Sequence, residues 1–158
     1  MANVRPIPEG YHTITPSLTC RNASKAIEFY KNAFGAKELH RLEGPNGTIG
    51  HAELQIGDSR LMVNDEIPGM SKAPNGGGTG EYLVLYVEDC DRVFNSAQAA
   101  GAKVEMPLSN QFWGDRYGKL ADPFGHHWGI ATHVENVSPQ DMERRSKEYM
   151  AKAAGQHS

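Results

Sequence analysis

The sequence predicts an α+β fold in which two β-α-β-β-β units follow one another along the chain. Three observations carry that expectation: runs alternating between apolar and polar residues, two stretches with apolar side chains at helical spacing and a closing glycine, and a recurrence of the same element order. The recurrence is visible in the residues, since Gly35-Ala36-Lys37 returns as Gly101-Ala102-Lys103 and Ile56-Gly57 as Phe124-Gly125, an offset of roughly 66 to 68 positions.

The first unit, assigned to 11–65, opens with a strand over 13–19. Ile14 and Leu18 share one face of it, and Thr13, Thr15 and Ser17 lie on the other. Pro16 marks this strand as an edge or a bulge. Asn22-Ala23-Ser24 starts a helix whose apolar residues, from Ala26 and Ile27 to Phe34, stop at Gly35. Strands over 37–42, 49–56 and 60–64 follow, joined by turns at Gly44-Pro45-Asn46-Gly47 and Gly57-Asp58-Ser59. The segment 66–80 is rich in Pro, Gly and Asn and holds Gly76-Gly77-Gly78, the composition of a linker or a loop over a binding site. The second unit, 81–135, repeats the order with a strand over 82–87, a helix over 90–100, and strands over 103–106, 116–121 and 127–133. The tail, 136–158, is expected to form a terminal helix after Ser138-Pro139 that serves packing or dimer contact.

Composition narrows the function. With 158 residues, 39% hydrophobic and 22% charged, the chain has the makeup of a globular protein. A net charge of -3 and a pI near 6.1 give no electrostatic reason for binding nucleic acid or an anionic membrane, so a small molecule is the expected partner. No apolar stretch is long enough to span a bilayer and the amino end has no apolar signal core, so a cytoplasmic location is expected. Cys20 and Cys90 read as buried thiols, and two cysteines alone do not make a structural zinc site.

The order of elements, together with Ala26-Ile27-Glu28-Phe29-Tyr30 before Phe34-Gly35 and with Asp122-Pro123-Phe124-Gly125-His126, resembles the glyoxalase, bleomycin resistance and extradiol dioxygenase superfamily. Phe112-Trp113-Gly114-Asp115-Arg116-Tyr117-Gly118, followed by the Asp122-Pro123 turn and His127-Trp128, is similar to its PhnB-like branch. The resemblance implies two curled sheets around a cavity, and a homodimer. Metal-dependent members place a His or a carboxylate on the first and last strand of each unit. Those positions fall at Thr15, near Asn64, at Tyr82 and at Gly129, none of which supplies an imidazole or a carboxylate. No cofactor is therefore expected, the alternative being a divalent ion held off-centre by His51, Glu53 and His127.

Strand alternation gives the cavity lining, because residues two apart share a face. It places Thr15, Gln55 and Asn64 as polar anchors, Tyr82 and Tyr86 as stacking surfaces and His127 as a further ligand contact, while the ring of Trp113 and the guanidinium of Arg116 are expected to join them as a third stacking surface and a polar contact. Asp115 and Arg116 are neighbours on a strand, so only one of them enters the cavity. Two functions follow from these residues. One is a metal-free protein that holds a small planar or amphipathic molecule. The other is a lyase or isomerase that uses either the off-centre ion or Glu53 and His51 in acid-base chemistry.

Overall fold

The computed structural model describes residues 4–75 and 80–155, so the triglycine Gly76-Gly77-Gly78 lies outside the described residues. The first unit runs β1 (Ser17–Cys20), α1 (Ala23–Phe34), β2 (Lys37–Glu43), β3 (Ile49–Ile56) and β4 (Ser59–Asp65). The second runs β5 (Leu83–Tyr86), α2 (Cys90–Ala99), β6 (Lys103–Asn110), β7 (Asp115–Ala121) and β8 (His127–His133). Each unit folds its strands into a four-stranded mixed sheet, in the orders β1-β4-β3-β2 and β5-β8-β7-β6. In both, the first strand lies parallel to the last and the other neighbours are antiparallel. The duplicated order is therefore also a duplicated topology. A terminal helix, α3 (Pro139–Gly155), follows, and none of its residues is buried. No helix among the described residues is long and apolar enough to cross a membrane.

Local chemistry sets the element ends. Asn22 caps α1 by accepting a hydrogen bond from the Lys25 backbone N–H, and Asp89 does the same for α2 at Arg92. β1 is shorter than expected because Pro16 offers no N–H to a ladder. It accepts only through its carbonyl, from Met62 N, and the strand begins at Ser17. Ile14, read with Leu18 as one face of that strand, falls outside it and is 85% exposed, whereas Leu18 is buried. β6 runs past the expected end through Pro107, which it tolerates as the outer strand of its sheet, with register breaks on either side of Met106.

The helices cover one face of each sheet and pack against each other. Ile27, Tyr30, Leu54, Val63, Trp128 and Ile130 are among the fully buried residues there, and each aliphatic side chain so buried stabilises the fold by roughly 1.5–3 kcal/mol. The two units are tied by hydrogen bonds as well as by packing. Tyr30 Oη on α1 donates to Asp122 Oδ2 at 2.7 Å in the second unit, and the His126 ring meets the Thr19 carbonyl at 2.9 Å. Asp122 also accepts from Trp128 Nε1 and from the backbone N–H groups of Phe124 and His126, so this buried carboxylate pins its own turn to the neighbouring helix.

Candidate functional site

With the helices on one face, the other face of each sheet is left to form a site. On the second sheet the register aligns Tyr86 with Ala131, Ala131 with Tyr117, Val84 with Gly129 and Gly129 with Lys119, so these residues share the uncovered face. A hollow of about 370 Å³ there is lined by Tyr82, Tyr86, Trp113, Asp115, Tyr117, Lys119 and, from α3, Tyr149.

Asp115 organises the rings. It is 3% exposed and accepts hydrogen bonds from Tyr86 Oη at 2.8 Å and Trp113 Nε1 at 3.0 Å, while the His133 ring meets its other oxygen at 2.8 Å. Burial by itself would raise this carboxyl, but the hydrogen bonds from His133, Tyr86 and Trp113 hold it below the usual carboxylate range. The same bonds act in reverse on the donors. The Tyr86 phenol and the His133 imidazole are both raised above their ordinary values, each chiefly by its hydrogen bond to Asp115.

Trp113 reaches this position because Gly114 adopts φ 100°, where a Cβ would come 2.2 Å from the Glu135 carbonyl oxygen. Only glycine lets that turn close against the strand end. Gly129 serves a different purpose. A Cβ on it would lie 2.7 Å from Tyr117 Oη and 2.8 Å from the ring, so the missing side chain makes room for Tyr117. α3 completes the rim: Arg145 donates to the Phe112 carbonyl and pairs with Glu135, and Tyr149 packs on Phe112 with ring centroids 5.2 Å apart.

The uncovered face of the first sheet forms a second hollow, about 530 Å³, lined by Tyr11, Thr15, Glu53, Arg60 and Met62 among others. His51 Nε2 lies 3.2 Å from Glu53 Oε1 on β3, and that hydrogen bond is the main cause that holds the Glu53 carboxyl below its usual range. The Arg60 guanidinium sits 5.1 Å from the Tyr11 ring centroid, and the Tyr11 hydroxyl is buried in the company of Glu53 and Arg60.

The structure thus brings together Tyr82, Tyr86 and Trp113, and separately His51 and Glu53, with Thr15 beside Glu53. Other expected contacts fall elsewhere. Arg116 lies on the helix-covered face of β7 and forms a two-point pair with Asp91 of α2, so it is Asp115 that enters the hollow. His127 is engaged by Glu105 and lines a separate cleft with Arg21 and Lys25. The Gln55 amide is tied to the Gly57 carbonyl, and the Asn64 amide to Ser71 and the Asp65 carbonyl. His51, Glu53 and His127 are not brought together, and no three His, Cys, Asp or Glu side chains among the described residues form a metal-binding group. The donor set at Thr15, Asn64, Tyr82 and Gly129 does not fit a divalent ion either. It offers no anion or imidazole, its Asn64 amide is already engaged, and Thr15 and Tyr82 line different hollows.

Sequence reasoning passed over Tyr117, Lys119, Tyr149 and Tyr11. The first two continue the alternation from Asp115 and were open to detection by counting in twos.

Comparison with known proteins agrees with this architecture. Residues 11–130 match the model of the Glyoxalase/Bleomycin resistance protein/Dioxygenase superfamily. An uncharacterized protein of Mycobacterium tuberculosis is 43% identical over 135 residues, spanning 82% of this chain and 79% of that protein. The crystal structure of TioX from Micromonospora superimposes with a TM-score of 0.64 at 29% identity, covering 78% of this chain and 99% of TioX. The PhnB protein from Bacillus cereus shares the fold, with a TM-score of 0.57 at 22% identity over 77% of this chain and 99% of that one. By sequence match and by topology, this chain belongs to the glyoxalase, bleomycin resistance protein and dioxygenase superfamily.

Proposed function

We propose that the protein binds a small planar molecule in the aromatic hollow of its second unit, without a metal or other cofactor. The observation that carries this reading is the convergence of Tyr82, Tyr86, Trp113, Tyr117 and Tyr149 around one hollow, with the buried Asp115 fixing two of the rings. Aromatic walls with a few fixed polar groups are the usual make-up of a small-molecule pocket, and fixed rings lose little entropy on stacking. Native mass spectrometry of the purified protein, with titration of planar heteroaromatics followed by Trp113 fluorescence, tests it. Binding that disappears in Trp113→Ala and Tyr86→Ala supports the reading. Binding unchanged in both variants, or turnover of a substrate with no binder found, counts against it.

The same reading includes a homodimer. β1 and β5 are edge strands, and Val84 and Tyr86 on β5, with Tyr82 and Ile14 ahead of the two strands, are exposed large hydrophobic residues. Light scattering should give twice 17.3 kDa; a monomer at micromolar concentration removes this part. We take the compartment to be the cytoplasm, where two free buried cysteines are at home. Burial pushes the Cys20 thiol up to about 12, so it stays an unreactive thiol.

One observation favours an enzyme instead: the buried Tyr11 hydroxyl shares a hollow with Glu53, the carboxyl that His51 engages. Against it, a carboxyl held low by His51 is a weaker base than an ordinary glutamate. Loss of a detected turnover in Glu53→Gln, with the fold intact by circular dichroism, would decide for it.

A further inference from the structure

The aromatic hollow contains two charged side chains, and their situations differ. Asp115 is already engaged on both oxygens, since Oδ2 accepts from Tyr86 and Trp113 and Oδ1 meets the ring of His133, and at 3% exposure it presents little to a ligand. Lys119 is not matched in this way. Its Nζ lies 3.9 Å from the centroid of the Tyr82 ring and forms no ion pair with a carboxylate among the described residues. The carboxylate of Glu105, on the adjacent strand, is engaged with His127. A half-buried ammonium balanced only by a ring face is under-neutralised, and an anion brought beside it gains a charge-assisted hydrogen bond at small further desolvation cost.

On the reading above, that this hollow is the ligand site, we propose that its ligand is a planar aromatic acid, with the ring stacked in the aromatic walls and the carboxylate on Lys119. A cation of the same shape meets Lys119 as a like charge and finds Asp115 already occupied. A neutral ring stacks equally well but leaves the ammonium as it was. The hollow, about 370 Å³, suits a ring system of one or two fused rings, being at the small end of the range for small-molecule pockets.

The test uses the full chain and three probes of one shape: 2-naphthoate, 2-naphthamide and 2-naphthylmethylammonium, by calorimetry and Trp113 fluorescence at low and high salt. The expected order is naphthoate over amide by about five- to tenfold, with the ammonium weakest and the preference reduced by salt. Lys119→Met should abolish the preference for naphthoate over the amide. Lys119→Arg, which keeps the charge, should retain the preference. Equal affinity for naphthoate and amide, or tightest binding of the ammonium, overturns the charge assignment and leaves the cavity reading standing. Absence of binding by all three, or binding that survives in Trp113→Ala, overturns both.

Discussion

The hydrogen bond from Tyr30 to Asp122 joins the two units, and Tyr30→Phe removes it without changing the shape of the core. Tyr30 is fully buried, and its hydroxyl is one of four donors to Asp122, with Trp128 Nε1 and two backbone N–H groups. A hydrogen bond to a charged group contributes about 1.5–3 kcal/mol, so a loss in that range is expected. For a chain of this size 1 kcal/mol corresponds to roughly 2–4 °C, giving a fall of about 3–12 °C in Tm. Urea unfolding followed by circular dichroism measures the loss, and an unchanged m-value confirms that the compactness of the end states is preserved. Because the three remaining donors still hold Asp122, the fold itself should persist. A loss below about 0.5 kcal/mol, the range typical of surface substitutions, would refute the view that this bond ties the units together.

Other outcomes follow from the same geometry. His133 is raised by Asp115, so their pairing stabilises the fold fully below the unfolded-state value of 6.5 and loses that contribution as pH rises through the folded-state value. In Asp115→Asn the His133 titration followed by NMR should move down toward 6.5, and this part of the pH dependence of stability should vanish. Tyr149→Ala removes one wall of the hollow. It should weaken 2-naphthoate binding about two- to twelvefold and leave the unfolding midpoint unchanged, since α3 buries no residue. Protein grown with added zinc, nickel, manganese and iron and purified without chelator should carry less than about a tenth of an ion per chain by elemental analysis; a full equivalent that survives gel filtration would refute the donor-set argument.

Legibility varied with how local the controlling physics was. β3 and β8 match the sequence expectation residue for residue, because alternation and flanking glycines are local signals. β6 was expected to end before Pro107, and it continues because an outer strand has a side that needs no ladder N–H, a property of strand order that no short window contains. At the site, alternation correctly allowed only one of Asp115 and Arg116 to enter. The choice between them turned on Asp91, which lies on another element and captures Arg116. The stacking trio of Tyr82, Tyr86 and Trp113 was legible as a set, whereas Tyr149 was not, because nothing within a terminal helix says which loop it folds back on.

The phenol ring beside Gly129 closes that position of the sheet to any larger residue. A histidine or glutamate installed there to hold an ion would begin with a Cβ 2.7 Å from Tyr117 Oη, a collision before any donor atom is placed. The ring must move first, and moving it strips a wall from the hollow. A designer retrofitting metal chemistry faces the same sequence of steps, with Tyr117 as the first residue to change.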